Sequence, residues 1–235
     1  CFGKDHAAEH TVELRRLCAE DRELLEEVGK LITSQPYNMC RPTDKMYDIV
    51  TSWGCNIYAV MKAGRFAGYV VGSSKSVNEI ILCDPEDFIN TIVVLYDMIG
   101  ASFSVTLPPF YPEYIRQLYH VCEGYEIVTD KSFSVLNYRV VIEAFAKLKL
   151  TYTSVPDGAL TLFVHGRAGD EKLRIAVENG EVSVTGYEGE CELELGHIDA
   201  MNMLFSPLCP GRDALSDFAR LLLPLPIWLY YADAV

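Results

Sequence analysis

Residues 172–186 read Lys-Leu-Arg-Ile-Ala-Val-Glu-Asn-Gly-Glu-Val-Ser-Val-Thr-Gly. Two alternating runs meet at Asn179-Gly180, the dipeptide favoured in a type I′ hairpin because both turn residues need positive φ. Alternation also means that each run buries one face only, so the pair needs a covering layer. Further β-type runs flank it at 155–166 and 190–196. A capped amphipathic helix is predicted over 137–149, with Val141, Phe145 and Leu148 on its apolar stripe, and helical segments follow over about 197–205 and 212–222. The second half of the chain is therefore an α+β unit built around an antiparallel pair.

The first half has a different grammar. A strand is predicted over 12–18, and a helix opens at Asp21 with Leu24, Leu25, Val28, Leu31 and Ile32 at helical spacing. Thr43 is the expected cap of a second helix, with Met46, Ile49, Val50 and Trp53 on one face and Gly54 as its stop. Three β-rich runs follow, at 56–61, 66–72 and 78–84, separated by the turn sequences Ala63-Gly64-Arg65 and Ser73-Ser74-Lys75, which makes an antiparallel meander. Asp84-Pro85-Glu86-Asp87 starts a helix, with a cap, a proline in the first turn and two acids behind it. Phe88, Ile89, Ile92, Val93, Tyr96 and Ile99 form its expected buried stripe and Gly100 its end. A strand over 102–107, a helix over about 113–122 and a strand over 132–137 complete the half.

Composition narrows the function. The chain of 235 residues carries 20 Lys and Arg against 33 Asp and Glu, a net charge of −13, which excludes a phosphate-tracking nucleic-acid binder. Apolar residues make up 50% and charged residues 23%, the balance of a folded globular chain. The eight cysteines show no Cys-x-x-Cys pair, so neither a zinc site nor a secreted disulfide scaffold is expected, and most read as buried small hydrophobes. The apolar stretch 221–231 is interrupted by Pro224 and Pro226 and is too short to span a bilayer. No signal peptide is visible, and the expected location is the cytoplasm. The chain opens Cys-Phe-Gly-Lys without a methionine, so an upstream segment is expected.

The order strand, two helices, three-stranded meander, helix, strand, helix, strand over residues 12–137 resembles the GNAT acetyltransferase fold. Trp53-Gly54-Cys55-Asn56-Ile57-Tyr58, Gly68-Tyr69-Val70-Val71 and Glu79-Ile80 carry the resemblance. The layout of the second half resembles a sterol-carrier-protein-type domain. Together with 137–149 and the terminal Leu223-Pro224-Leu225-Pro226-Ile227-Trp228, the whole is similar to the C-terminal two-thirds of the enhanced-intracellular-survival family. The expected fold class is α+β: a GNAT-like mixed sheet flanked by helices over 1–137, then a sterol-carrier-like α+β domain over 138–235.

In a working GNAT domain a glycine-containing loop presents backbone N–H groups and a helix N-terminus to the acetyl-CoA pyrophosphate. The corresponding junction here, Cys83-Asp84-Pro85-Glu86-Asp87-Phe88, has no glycine, one residue without an N–H, and three carboxylates. Family-type acetyl-CoA binding by this domain is therefore not expected, and a self-sufficient acetyltransferase is disfavoured. The resemblance implies that acetyl-CoA belongs to a missing N-terminal GNAT domain, the main partner of this portion, with a cationic amine as substrate. Homo-oligomerisation is left open, and neither nucleic acid nor membrane is an expected partner. The competing reading is a lipid or apolar ligand held by the sterol-carrier-like half.

Elsewhere candidate chemistry is sparse. His165 and His197 read as surface or strand-end residues, and Glu190, Glu192 and Glu194 as a solvated strand face rather than a cation site. The tail differs: Trp228, Tyr230 and Tyr231 want burial, whereas an ordinary tail is polar and frayed. The bland reading is a docked tail covering an apolar groove. The resemblance implies more: the α-carboxylate of Val235 would serve as general base, with Trp228, Tyr230, Tyr231 and Asp233 beside the substrate. An α-carboxyl group has an ordinary pKa of about 3.5 and needs burial to become a useful base near neutral pH.

Overall fold

The computed structural model describes residues 10–128 and 133–233, which fall into two compact units. The first takes the chain up to Tyr125 together with the tail from Leu229, and the second is Glu126–Trp228. This division differs from a cut at 137/138 in two places, each with a physical cause. Val135 is buried in the apolar core of the second unit, and the tail side chains Tyr230 and Asp233 find their partners in the first.

The first unit is a five-stranded mixed sheet in the order β1 (Glu13–Arg16), β2 (Asn56–Lys62), β3 (Arg65–Gly72), β4 (Ser76–Leu82) and β5 (Ser104–Val105). The β1–β4 neighbours are antiparallel, and β5 joins β4 in parallel. Strand alternation sends Ile57, Ala59, Tyr69, Val71 and Ile81 to one face, under α1 (Arg22–Thr33) and α2 (Met46–Thr51). Val60, Val70, Ile80 and Leu82 go to the other, under α3 (Phe88–Ile99) and α4 (Pro112–Tyr119). A sheet covered on both faces has near-continuous apolar strands, as 66–72 and 77–82 do. Gly68 sits at φ 149°, where a Cβ would lie 2.5 Å from the Ile81 carbonyl oxygen, so the close approach of β3 to β4 requires glycine.

Several local expectations are corrected. Thr43 caps nothing: 43–45 form a 3₁₀ turn ahead of α2, and Trp53 lies beyond the helix end, 56% exposed. The buried stripe of α3 is Phe88, Thr91, Ile92 and Leu95, leaving Val93 and Tyr96 only half-buried. The short 3₁₀ turn Pro85–Asp87 precedes this helix and contributes to where its stripe points. The expected strand over 102–107 shortens to two residues. Residues 133–137 of the expected strand 132–137 are not a strand, and residue 132 lies outside the described residues. Of the described cysteines only Cys55 and Cys209 are buried, and none is in a disulfide.

The second unit begins with α5 (Tyr138–Leu150), whose N-cap Asn137 Oδ1 accepts from the Val140 N–H at 3.0 Å. Its four-stranded sheet runs β8 (Glu181–Gly186), β7 (Gly169–Glu178), β6 (Gly158–Gly166), β9 (Leu193–Gly196), antiparallel except for the β6–β9 pair. Asn179 and Gly180, at φ 54° and 78°, form the expected turn between β7 and β8. Leu160, Leu162, Val164, Leu173, Ile175, Val177, Val182 and Val184 make one apolar face. Side chains of α5, α6 (His197–Phe205) and α7 (Asp217–Leu222) cover it. Among the described residues no helix is long and apolar enough to cross a membrane.

Candidate functional site

The sheet face under α1 and α2 is apolar except at Glu79. In β4 this residue stands opposite Val71 of β3, and the register slips between Val71 and Gly72, so Glu79 and Ile81 share the face of Tyr69. Its carboxylate is nearly inaccessible, and desolvating a lone carboxylate costs several kcal/mol unless it is paired. Arg41, from the loop between α1 and α2, supplies the pair: Nη1 donates to Oε1 and Nη2 to Oε2, both at 2.9 Å. The Tyr69 hydroxyl donates to the same carboxylate.

The remaining edge of the guanidinium faces the tail. Nε donates to Asp233 Oδ1 at 2.9 Å and Nη2 to Asp233 Oδ2 at 2.6 Å. Arg41 is thus forked twice, and its planar five-donor head is the group that can hold two carboxylates in this way. Burial works against the Arg41 charge, but the hydrogen bonds to Asp233 and Glu79 outweigh it and raise the pKa. With Arg41 and both carboxylates ionised, the cluster carries one net negative charge. Tyr230 completes the docking. It is 2% exposed, its hydroxyl lies 3.3 Å from that of Tyr111, and its ring centroid is 5.6 Å from Arg41 Cζ. Burial pushes the phenol of Tyr111 up to about 12, and burial with Tyr111 as neighbour pushes Tyr230 higher still. Tyr37 and Phe110, with ring centroids 5.3 Å apart, make the aromatic surroundings. Arg41 also lines an open groove of about 520 Å³ with Glu26, Lys30, Thr33 and Ser34.

The candidate residues read from the tail therefore part company. Tyr230 and Asp233 enter this buried cluster. Tyr231 is 41% exposed, its ring 6.2 Å from that of Trp53. Trp228 is half-buried and falls in the second unit. Val235 lies outside the described residues. Arg41, Glu79, Tyr69 and Tyr111 are absent from the sequence-derived set. The available signal was Glu79 itself, one acid inside the apolar run Val77-Asn78-Glu79-Ile80-Ile81-Leu82, a placement that demands a buried cationic partner.

At the junction before α3, Asp84 Oδ1 accepts from the Glu86 N–H at 2.9 Å. Asp87, 3% exposed, receives Lys62 Nζ at 2.6 Å, and Thr91 donates to its carbonyl oxygen at 2.8 Å. The helix start is thus served by its own side chains, and acids occupy the ground a pyrophosphate would need. These residues do not fit that group.

In the second unit His165 bridges Glu194 at 2.9 Å and Asp170 at 3.2 Å on the exposed sheet face, and these partners raise its pKa. Among the described residues no group of three or more His, Cys, Asp or Glu is placed to hold a metal ion.

A five-stranded sheet with a β2–β4 meander, two helices on each face and a second mixed α+β unit is a GNAT-like architecture. No protein-family model matches the chain, and no curated protein matches it in sequence. Among solved structures it is similar to a GCN5-related N-acetyltransferase from Anabaena variabilis ATCC 29413, with TM-score 0.55 and 14% identity over 95% of this chain. It is also similar to a GCN5-related N-acetyltransferase from Kribbella flavida, with TM-score 0.50 and 17% identity over 92% of this chain. The chain spans 61% and 57% of those two proteins, less than two thirds of either.

Proposed function

We propose that this chain is the non-catalytic C-terminal portion of a GNAT-type N-acetyltransferase of the enhanced-intracellular-survival kind. Residues up to 125 are a degenerate GNAT unit on this reading, and the second unit takes the sterol-carrier-like position. The observation that carries it is the tail: after building an entire second unit, the chain returns residues 229–233 to the first and binds them there through Arg41 and Tyr230. A segment meant only to cap a core does not need a buried, doubly forked arginine.

The catalytic contribution assigned to this chain is one carboxylate, that of Val235, beside a cationic amine. It takes a proton from the substrate nitrogen and leaves that nitrogen nucleophilic. Acetyl-CoA is held elsewhere in the longer protein, because the junction at Asp84–Asp87 does not receive it. The net charge of −13 suits a cationic substrate by long-range attraction. The alternative, an apolar ligand in the second unit, has less support, since Leu160, Leu162, Ile175 and Val184 are already buried against Ile142, Ala146, Ala200 and Leu222.

Two measurements test the reading. Calorimetric titration of this chain with acetyl-CoA is expected to show no specific heat, and micromolar binding at the Asp84–Asp87 junction would overturn the degenerate assignment. In the longer protein, one residue added after Val235 is expected to lower turnover at least tenfold with acetyl-CoA affinity unchanged. Unchanged turnover removes the carboxylate from the mechanism.

A further inference from the structure

We infer that Arg41, with Glu79 behind it, is the positioning residue that sets the tail carboxylate, and that Asp233 is the handle by which it does so. This rests on the reading of Val235 as general base, but its physical part stands on the cluster alone. Glu79 is anchored in β4, in the middle of a sheet covered on both faces, and is the least movable member. It grips one side of Arg41 at two points, and the Tyr69 hydroxyl holds Glu79 in turn. The guanidinium is thereby pre-oriented, its Nε and one Nη2 hydrogen directed at the tail, before the tail binds. Asp233 fills that fork with both oxygens, which fixes its direction as well as its place.

Asp233 lies in a 3₁₀ turn, Tyr231–Asp233, closed by its N–H donating to the Tyr230 carbonyl at 3.0 Å. Tyr230 on one side and Asp233 on the other therefore hold a single turn at two points. Only two residues, at most about 7 Å of extended chain, separate Asp233 from position 235. A shift at Asp233 is passed to that position with little slack. A reacting carboxylate misplaced by about 1 Å loses on the order of a hundredfold in rate. Simple burial of the tail would need no carboxylate at 233, since apolar contact alone would seal the groove at lower desolvation cost.

The test uses the longest native form of the protein and three variants, Asp233→Asn, Asp233→Glu and Arg41→Lys. Asp233→Asn and Arg41→Lys are expected to lower kcat about tenfold or more while leaving KM for acetyl-CoA within twofold. Asp233→Glu, which keeps a carboxylate, is expected to recover part of the loss. Amide exchange of 229–233 is expected to quicken in Asp233→Asn and Arg41→Lys but not in the β2–β4 meander. Unchanged exchange in Asp233→Asn overturns the clasp. Quickened exchange with kcat unchanged overturns the positioning role while the clasp survives. If the extension after Val235 abolishes turnover and Asp233→Asn does not lower kcat, the base reading stands and the positioning inference falls. If the extension is harmless, the base reading falls and the positioning role falls with it.

Discussion

The two units bury charge in opposite ways. The first places Arg41, Glu79 and Asp233 in one cluster and satisfies each against the others, with Tyr69 as a further donor. The second buries a single cation, Lys149, whose Nζ donates to the Pro224 carbonyl oxygen at 2.9 Å and has no carboxylate among its stated partners. Burial, helped by the charge of Arg212, lowers the Lys149 pKa to about 8. A paired cluster holds distant segments in one geometry, whereas a lone amine accommodates burial by giving up its proton. On that contrast the first unit carries a fixed polar site, and the second is a core that tolerates one charge.

The largest expected effect breaks the cluster. Arg41→Ala leaves two buried carboxylates facing each other and is expected to cost about 3–5 kcal/mol in denaturant unfolding. A loss below about 1 kcal/mol would mean the cluster is hydrated and the contrast false. Leu162→Ala, fully buried in the apolar face of β6, is expected to cost about 2–5 kcal/mol. The Arg41 loss should track tail exchange and the Leu162 loss should not, which separates a fixing cluster from a packing core.

Lys149 supplies the pH test. Its folded pKa of about 8 lies below its ordinary 10.5, so between these values the unfolded chain binds more protons. Stability should therefore rise with pH across that window, by about 1–2 kcal/mol after allowing for solvent screening. Lys149→Met should flatten the rise, measured by urea unfolding at several pH values. A falling curve would reverse the assignment.

The smallest effect compares caps. Asp84→Ala and Asn137→Ala each remove one side-chain acceptor at a helix start. Each is expected to cost about 1 kcal/mol, read as a lower thermal midpoint. A loss for Asp84→Ala several times that for Asn137→Ala would mean that Asp84 also serves the Lys62–Asp87 pair.

Much of the fold was legible because it is locally encoded. Asn179-Gly180 specified a hairpin because few other dipeptides accept two positive φ angles. Alternation placed β6–β8, and Asp84-Pro85 and Asn137 marked helix starts through side-chain acceptors available at once. Local signals failed where neighbours decide. Periodicity over 88–99 admits more than one stripe, and packing against the sheet selected Phe88, Thr91, Ile92 and Leu95. Residues 133–137 look like a strand, yet the described chain there has no pairing partner and instead buries Val135 beside α5.

The candidate site lies at the far end of that scale. Composition and the aromatic tail marked 228–235 as unusual, and the acidic junction at 84–87 was readable as a poor pyrophosphate site, because both depend on residue types within one short segment. Which tail residues are buried, and by what, is a tertiary decision. Arg41 meets Glu79 across 38 positions and Asp233 across 192. No spacing rule links residues so far apart. Only a sheet that fixes Glu79 on an otherwise apolar face, with a loop that brings one guanidinium to it, makes a buried carboxylate at 233 affordable.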